Sequence, residues 1–464
     1  MKRKTLKYFL LLLSFIIFNC STKVNSNRAL KKKFQPNIIL FFVDDLGWSD
    51  LGFRNPVFET PNIDALAKSG VSFEQAYIAS PTCSPSRATL ITGKHPARLK
   101  MVRHIPGGEK NGFDKLGRTN QEFHYLERDP AQFPSRNWLP LENTSFAEAL
   151  ANEDYYNLFV GKWHLGHEKF HPIQQGFNQQ IGTSNAGHPK SYYPPYFRQD
   201  TIFPDNSNTY LTDKLTNEAV NFIGNYKKEK PFMLTFSYYS VHTPHQGRKD
   251  LVQHFEEKGL EGKFANYAAM VKATDESFGK VLKAIETKGI QKETVIIFLS
   301  DQGGYFENAP FRGAKMYETL FEGGARVPFF VYWPGVTKPN TINNSIVQST
   351  DLFPTLVEMA GGEVSKHKGL DGLSLVSTIK NNDTLQRDPI YGYRAYEDLY
   401  VSVRDGDWKL LAYRSGKLEL FNISKDIKES NEISKKNPVK VKELVAKLIQ
   451  WEKKMKVESY SGVQ

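Results

Sequence analysis

Four short apolar runs in this 464-residue chain each end in a cluster of polar residues, and this pattern restricts the possible folds more than any other feature. The runs are "NIILFFVDD" at 37–45, "NLFVGKWHLG" at 157–166, "PFMLTFSYYSVHTPH" at 231–245 and "TVIIFLSDQGG" at 294–304. A continuous apolar run bounded by turn residues is typical of a strand that is buried on both faces. The runs therefore predict a parallel sheet covered by helices.

Segments with the helical spacing of apolar residues lie between and after these runs, at 144–152, 210–226, 267–289 and 349–362. Strands that alternate with helices indicate an α/β protein with a doubly wound, mostly parallel sheet. In such sheets, ligands bind at the carboxyl ends of the strands. Because every polar cluster follows its strand, we expect the four clusters to meet at that edge and to form a site.

The net charge of +11 is concentrated at one end of the chain. Residues 1–33 contain nine lysines and arginines and no acidic residue. Removing these nine charges from +11 leaves +2 for residues 34–464, so the remaining chain is almost neutral. No nucleic-acid partner is therefore predicted.

Residues 1–20 are typical of an export signal. The cationic "MKRK" precedes an apolar run, Tyr8 to Phe18, that is too short to cross a bilayer as a helix. Cys20 stands where a bacterial lipoprotein carries its acylated cysteine, and residues 21–33 would form a polar tether. Ordinary cleavage, with Cys20 incidental, is the alternative. We expect an exported protein, periplasmic or lipid-anchored to the outer membrane of a Gram-negative bacterium.

The residues that end two of the runs suit a metal ion. Asp44 and Asp45 follow the first run and Asp301 follows the fourth, and three carboxylates at one sheet edge repel one another unless a cation lies among them. With Gln302 they form a set of oxygen ligands, which favours calcium or magnesium over zinc. Simpler interpretations exist, since an Asp pair can cap a helix and a histidine such as His242 is more often structural.

Cys83 is the one cysteine after residue 20, and it lies in "SPTCSPSRATLITGKHP" at 80–96. A single thiol cannot form a disulfide within the mature chain. Cys83 is therefore a packing residue, a nucleophile or metal ligand, or the target of a chemical modification.

The stretch "CSPSRATLITG" resembles the signature of the sulfatases, in which Cys-x-Pro-x-Arg directs oxidation of the cysteine to formylglycine. "DD" after the first run, "GKWHLG", "HTPH", "SDQGG" and "RGAKMYETLFEGGARVP" resemble further blocks of that family in the same order, over residues 36–425. The resemblance implies an alkaline-phosphatase-like catalytic domain at 34–365 and a smaller C-terminal α+β subdomain at 366–464.

The pattern of the C-terminal part agrees with a small antiparallel sheet. Strand-like runs within 399–423 are broken by "RDGD" and "RSGK", which predict hairpin turns. Residues 437–456 have amphipathic spacing and predict a terminal helix.

The resemblance implies that a formylglycine-generating enzyme converts Cys83 to 3-oxoalanine, which is formylglycine. A serine at this position would leave a sulfate ester on the enzyme that water hydrolyses slowly. The hydrated aldehyde carries two hydroxyls on one carbon. One hydroxyl attacks sulfur, and deprotonation of the other expels sulfate and re-forms the aldehyde.

The resemblance also implies a role for each matching residue. Asp44, Asp45, Asp301 and Gln302, with the modified Cys83, match the ligands of one Ca²⁺, although the last metal position is often Asn in this family. Asp301 is also a candidate base for the attacking hydroxyl. The resemblance implies that Arg87 stabilises the hydroxyl pair of the formylglycine hydrate. It implies that the sulfate and the formylglycine are held by Lys162, His164 and Lys315. His242 is the implied general acid for the leaving sugar oxygen. Lys94 either supports the formylglycine turn or is a solvated lysine.

Long polar and aromatic loops at 101–138 and 182–200 are expected to surround the site and to recognise a sulfated carbohydrate, a polysaccharide or its oligosaccharides. The basic residues in or beside these loops can bind sugar hydroxyls, carboxylates or a second sulfate; they are Arg103, His104, His188 and Arg312. Arg394, in the C-terminal part, is the next candidate.

The sulfatase interpretation has three alternatives. A phosphatase with a Thr or Ser nucleophile and two metal ions is disfavoured by Cys83 and by the single set of oxygen ligands. A formylglycine-dependent phosphonate or phosphate ester hydrolase would use the same residues, so this alternative stays open. A non-catalytic polysaccharide-binding relative predicts the loss of site residues, and none of the principal positions is lost.

Overall fold

The structure is a computed structural model that describes residues 35–125, 133–198, 202–203, 208–394 and 398–457. The export signal, Cys20 and the tether predicted for residues 1–33 lie outside these ranges. Among the described residues, no helix combines the length and the apolar character needed to cross a membrane.

Fourteen strands are formed by the described residues and are numbered in chain order. They are β1 (Asn37–Val43), β2 (Val71–Tyr77), β3 (Phe123–His124), β4 (Ser135–Arg136), β5 (Tyr156–Gly161), β6 (Gln179–Ile181), β7 (Phe232–Ser237), β8 (Thr294–Ser300), β9 (Phe329–Tyr332), β10 (Thr341–Gln348), β11 (Ile390–Tyr393), β12 (Leu399–Asp405), β13 (Trp408–Tyr413) and β14 (Leu418–Asn422).

The α-helices of the same residues are numbered in the same way. They are α1 (Pro61–Ser69), α2 (Cys83–Thr92), α3 (Pro96–Leu99), α4 (Phe146–Asn152), α5 (Leu211–Asn225), α6 (Lys249–Glu257), α7 (Gly262–Lys288), α8 (Glu322–Ala325), α9 (Leu352–Met359), α10 (Val376–Asn381) and α11 (Pro438–Met455).

The main sheet has eight strands in the order β10-β2-β9-β8-β1-β7-β5-β6. Strand β9 is antiparallel to both of its neighbours, and all other neighbouring strands are parallel. The four apolar runs are β1, β5, β7 and β8, which lie next to one another in the middle of this sheet. The predicted fold class is confirmed.

Both faces of the central strands are buried, as the apolar runs predict. Alternate residues of β1 point to opposite sides, because successive side chains of a strand leave opposite faces. Ile38, Leu40 and Phe42 pack in a core with α2, α4 and α9, and the intervening residues pack in a second core with α5 and α7.

The four predicted helical segments correspond to α4, α5, α7 and α9. A capping box starts α4, because the Ser145 hydroxyl accepts from the Glu148 N–H and the Glu148 carboxylate accepts from the Ser145 N–H. Helix α7 begins at Gly262, before the predicted segment, and this first turn packs Phe264 against the core. Helix α9 is shorter than predicted because Ser349–Asp351 form a separate 3₁₀ turn.

The C-terminal part contains an antiparallel sheet in the order β11-β12-β13-β14. The two predicted turns join β12 to β13 and β13 to β14, with positive φ values at Gly406 and Gly416 that suit glycine. Helix α11 covers one face of this sheet through its apolar side, with Leu444, Leu448 and Trp451 buried in the shared core.

Candidate active site

The polar clusters meet at one edge of the main sheet, as their positions in the sequence predict. Strands β8, β1, β7 and β5 are consecutive and parallel, so their carboxyl ends lie side by side. Backbone hydrogen bonds continue past the strand ends: the Asp301 N–H donates to Val43 O at 3.0 Å, and the Lys162 N–H donates to Ser237 O at 2.8 Å. The backbone of the residues that follow these strands is therefore held in place, and so are the Cα atoms of Asp301 and Lys162.

Three carboxylates are fully buried at this edge: Asp44, Asp45 and Asp301. The Asp45 N–H donates to Asp301 Oδ1 at 3.0 Å, and Gln302 Nε2 donates to Asp45 Oδ1 at 2.6 Å. Two ammonium groups compensate part of the negative charge, because Lys162 binds Asp44 and Lys315 binds Asp45.

Burial and the neighbouring charges shift the pKa values of the three carboxyls in different directions. Burial raises the pKa of the Asp301 carboxyl well above its usual value, and the neighbouring Asp44 adds to the rise although Arg87 opposes it. Burial also raises the pKa of Asp45, against the attraction of Lys315. At Asp44 the cations Lys162 and Arg87 outweigh burial, and the pKa is lowered.

One unpaired atom indicates what would complete the cluster. Asp44 Oδ1 is buried and has no hydrogen-bond partner, and the nearest guanidinium nitrogen of Arg87 lies 3.7 Å away. Buried carboxylate oxygens that lack a donor suit a hard divalent cation. The oxygens of Asp44, Asp45 and Asp301 fit this role. Gln302 fits it only with the opposite orientation of its amide, since Nε2 now faces Asp45 and Cys83.

Cys83 is the first residue of α2 and is 7% exposed. Gln302 Nε2 lies 3.3 Å from its Sγ. Burial alone would raise the pKa of the thiol, but Lys162, Lys315 and the neighbouring imidazoles of His164 and His242 lower it well below its usual value. The start of a helix also favours negative charge. An anionic or strongly polar group at position 83 is therefore stabilised.

Arg87 lies one helical turn after Cys83 and connects three strand ends. Its Nη1 donates to Ser237 Oγ at 2.7 Å and to Lys162 O at 2.9 Å, and its Nη2 donates to Asp301 Oδ2 at 3.2 Å. The guanidinium is buried and keeps its charge, because Asp44 and Asp301 outweigh the effect of burial and raise its pKa. Arg87 thus offsets the carboxylates from within the core.

Two histidines face Cys83 with different protonation patterns. His164 Nε2 lies 2.9 Å from Ile105 O, so this nitrogen carries the proton, and the buried Nδ1 has no hydrogen-bond partner. His242 Nδ1 lies 2.8 Å from Thr243 O and therefore carries a proton, and its Nε2 is 3.8 Å from Asp45 Oδ2. His164 offers an acceptor at the site, whereas His242 directs its Nε2 towards Asp45.

Two residues at this edge have a strained backbone. Asp45 has a φ of 62° and His164 has a φ of 56°, in the left-handed region that non-glycine residues rarely adopt. Such conformations persist only where the surrounding structure holds them, and they are frequent at functional sites. Close packing adds to the constraint, since a Cβ on Gly187 would lie 2.6 Å from His164 Cε1.

His104 and His188, two of the predicted rim residues, are exposed beside this site. Ile105, next to His104, is held by two hydrogen bonds to residues of the site. Its N–H donates to Ser84 Oγ at 3.0 Å, and its carbonyl accepts from His164 Nε2. The ring of His188 stacks on that of His242 with 5.4 Å between the centroids. Arg394 donates to Pro81 O at 3.2 Å, in the turn before Cys83.

The structure places other predicted residues in contacts within the protein. Arg103 is 2% exposed and donates to His124 O at 2.9 Å. Arg312 pairs with Glu318 and donates to Glu429 O at 3.0 Å. Lys94 follows the far end of α2 and donates to Asn143 Oδ1 at 3.1 Å, a helix length away from Cys83.

Most of the chain matches one known protein family. A sequence profile described as "Sulfatase" matches residues 36–362. The chain belongs to the sulfatase family. A second profile, "N-sulphoglucosamine sulphohydrolase, C-terminal", matches residues 314–458 of the sulfatase and covers the antiparallel sheet and α11.

Named relatives agree with this assignment. The sulfatase is 33% identical over 399 residues to N-acetylgalactosamine-6-sulfatase of Mus musculus, which corresponds to 81% of this chain and 71% of the relative. A sulfatase of Formosa agariphila is 28% identical over 93% of this chain and 89% of its own length. The present chain is therefore a sulfuric ester hydrolase.

A solved structure with the same fold is "Ps i-CgsB in complex with k-i-k-neocarrahexaose". It superimposes on the sulfatase with a TM-score of 0.76 and 30% identity, and the match covers 90% of this chain and 92% of the other. A second solved structure, of the PsFucS1 sulfatase from Pseudoalteromonas sp., has a TM-score of 0.72 at 24% identity and supports the fold.

Two site residues of the sulfatase were missed by the sequence analysis. Ser237 ends β7 and binds both Arg87 and Lys162 O, and Ser84 fixes the loop that carries His104. A serine at a strand end or in the first turn of a helix has no distinguishing local signal. Ser84 does stand next to Cys83 in the signature, which could have indicated a role in the turn.

Proposed function

We propose that this sulfatase removes sulfate from a carbohydrate through formylglycine at position 83 and one calcium ion. The observation that carries the proposal is the position of Cys83. It is buried at the start of α2 and contacts Gln302, and its thiol is influenced by Lys162 and His164 after β5, by His242 after β7 and by Lys315.

The surroundings of Cys83 suit a hydrated aldehyde better than a thiol. A hydrate presents two hydroxyls, which need acceptors and donors. The unpartnered Nδ1 of His164 is an acceptor, and Lys162 and Lys315 are donors whose charge favours an anion at this position. The formylglycine hydrate, when present, supplies the nucleophile that attacks sulfur.

Asp44, Asp45, Asp301 and, after reorientation of its amide, Gln302 would hold the cation. The bound ion supplies positive charge that neutralises sulfate oxygens and favours ionisation of the nucleophile. Lys162 and Lys315 each bind one carboxylate of the cluster, so their ammonium groups lie beside the proposed cation site, and we propose that they also bind the sulfate. Arg87 remains in the core and holds Asp301 in its orientation.

His242 is the proposed acid for the leaving oxygen. A sugar alkoxide is a poor leaving group, and a protonated imidazole is a suitable donor near neutral pH. The Nδ1 of His242 is anchored on Thr243 O, which leaves Nε2 directed towards Asp45 and Cys83. His188 stacks on the same ring from the solvent side and is proposed to contact the sugar.

The carbohydrate substrate is supported by two observations of different kinds. The relatives named above include an N-acetylgalactosamine-6-sulfatase and a structure in complex with a neocarrahexaose. On this chain, exposed His104 and His188 flank the site and can donate hydrogen bonds to hydroxyls or to a second anionic group. The names of both relatives refer to saccharides, and the side chains of His104 and His188 can bind a saccharide.

The test combines two substrate panels with mass spectrometry. Purified protein is assayed with aryl sulfate, aryl phosphate and aryl phosphonate esters, and then with N-acetylgalactosamine 6-sulfate and sulfated carrageenan oligosaccharides. We expect turnover of the aryl sulfate and of at least one saccharide, together with formylglycine in the peptide that contains Cys83. Preference for the phosphorus esters, or an active enzyme with only unmodified thiol, would overturn the proposal.

We also propose that residues 1–20 direct export, that Cys20 is lipidated and that a formylglycine-generating enzyme matures Cys83. The support is the sequence pattern described above. In a Gram-negative host, we expect the parent protein in the membrane fraction and a Cys20→Ser variant outside it. Identical fractionation of the two proteins would contradict lipidation. Expression without the maturation enzyme should give an inactive protein in which Cys83 is unmodified.

A further inference from the structure

Lys315 is carried by residues 312–325, here called the Lys315 loop, which pack backbone against backbone. The Lys315 N–H donates to Gly304 O at 2.9 Å, and the Gly323 N–H donates to Arg312 O at 2.7 Å. A Cβ on Gly323 would lie 2.1 Å from Gly313 O, so the two sides of the loop approach too closely to admit a side chain between them. A displacement of α8, at the end of the loop, would therefore be transmitted to Lys315.

Glu429 holds this loop from the C-terminal subdomain. Its Oε2 accepts from the Glu322 N–H at 2.7 Å, at the start of α8, and its backbone oxygen accepts from Arg312 Nη1 at 3.0 Å. Its Oε1 lies 2.8 Å from Nζ of Lys409, on β13. One residue thus contacts both ends of the Lys315 loop and the antiparallel sheet.

The ionic partners of Glu429 are buried with it. Lys409 Nζ also lies 2.9 Å from Glu322 Oε1, and Glu322 Oε2 accepts from the Tyr77 hydroxyl at 2.7 Å. Burial raises the pKa of Glu429 to about 7, although Lys409 favours the charged form. Breaking a buried ion pair leaves an uncompensated charge, so each member constrains the positions of the others.

The backbone of Glu429 is strained. Its φ is 50°, in the region where glycine is favoured, and its side chain is fully buried. A glycine would relieve the strain but would remove the carboxylate. A strained residue that makes two polar contacts through its side chain and one through its backbone oxygen is a candidate for a functional constraint.

We propose that Glu429 is a positioning residue for Lys315. It fixes the Lys315 loop against the antiparallel sheet and so sets the distance between the Lys315 ammonium and the Asp45–Cys83 region. The inference rests on the proposed role of Lys315 in holding the sulfate. Glu429 itself does not touch the reacting atoms, so it acts only through the loop.

The first experiment is a double-mutant cycle with a small aryl sulfate, which excludes effects on sugar binding. Glu429→Gln is measured in the parent and in a Lys315→Ala background. We expect it to lower kcat/KM by about 10-fold or more in the parent, since small displacements at a site have large effects. In the Lys315→Ala background we expect Glu429→Gln to lower kcat/KM by less than about 2-fold, because the Lys315 ammonium that Glu429 positions is already absent. Equal losses in the two backgrounds, or no loss in the parent, would overturn the proposal.

The second experiment does not depend on activity. Hydrogen exchange is compared between the parent and Glu429→Gln, and we expect faster exchange of the Gly323 and Lys315 amides with unchanged exchange in β1 and β8. The matched control is Glu432→Gln, three residues away, which is exposed and binds backbone amides of its own subdomain. Unchanged exchange in the Lys315 loop would contradict the proposal even if the enzyme had no sulfatase activity.

A third variant covers the case in which Glu429→Gln does not fold. Arg312→Gln breaks the contact to Glu429 O from the half-exposed side of the loop. We expect Arg312→Gln to lower kcat/KM in the parent by less than Glu429→Gln does. We expect this loss to disappear in the Lys315→Ala background. An effect of Arg312→Gln that persists in the Lys315→Ala background would overturn the proposal.

Discussion

The imidazole rings of His188 and His242 stack face to face, with 5.4 Å between their centroids and 8° between their planes. His242 Nδ1 is bound to Thr243 O, and His188 Nδ1 lies 2.9 Å from Pro189 O. Both rings are therefore anchored through Nδ1 and leave Nε2 for other partners. The pair connects the Cys83 region with the exposed rim.

His242→Ala should affect sugar sulfates far more than nitrophenyl sulfate. General acid catalysis contributes roughly 10²–10⁴-fold, and a nitrophenolate departs without a proton. The measurement is kcat/KM on one saccharide sulfate and on nitrophenyl sulfate. Equal losses on both substrates would assign His242 to sulfate binding instead of proton transfer.

His104→Ala and His188→Ala should depress turnover of a saccharide sulfate and leave turnover of nitrophenyl sulfate within about 2-fold of the parent. Both side chains are exposed beside the site, and binding energy distant from sulfur positions the ester for attack. The comparison variant is Lys94→Ala, whose ammonium binds Asn143 beyond the far end of α2. If both histidine variants treat the two substrates as the parent does, sugar recognition lies elsewhere, for example at Arg394.

Removal of the cation should abolish turnover without unfolding the domain. The buried carboxylates Asp44, Asp45 and Asp301 repel one another, so a bound divalent ion should also raise the thermal midpoint. Protein treated with EDTA and verified as metal-free should lose activity and melt earlier, and both properties should return with Ca²⁺.

The matching variant is Asp301→Ala, which should be inactive and insensitive to Ca²⁺ in the melting experiment. Its control is Asp250→Ala, which removes an exposed carboxylate that pairs with Arg248. Full activity of metal-free protein would show that the cluster has another role.

His95 should make the protein less stable as the pH falls from 6.5 towards 4. Burial lowers the pKa of His95 from 6.5 to about 4, although Tyr391 O and Asp371 favour the charged ring. Between these values only the unfolded chain binds the proton, so acid shifts the equilibrium towards unfolding by up to about 3 kcal/mol.

The measurement for His95 is the free energy of unfolding in urea at pH 7.5 and pH 4.5. His95→Gln keeps an amide donor for Tyr391 O but does not titrate. Other groups contribute equally to both proteins, so the parent should lose more stability over this interval than the variant. The same pH dependence in both proteins would contradict a neutral buried His95.

Local patterns were sufficient to predict much of this protein. The apolar runs identify the central strands because burial on both faces requires continuous apolar residues, and turn residues mark where each strand ends. Since parallel strands place their carboxyl ends at one edge, Asp44, Lys162, His242 and Asp301 could be assigned to a common site before any contact was known. The "CSPSR" stretch identified Cys83 through its resemblance to a family signature.

Contacts between distant parts of the chain decided the rest. Arg103 and Arg312 were predicted at the rim, but packing directs their guanidinium groups to His124 O and Glu429 O. Glu429 contacts Glu322 across 107 residues of sequence, and no periodicity or motif marks that pair. Such contacts depend on strand order and on the path of each loop, which are set by the total free energy of packing, whereas local patterns report only which face of an element is buried.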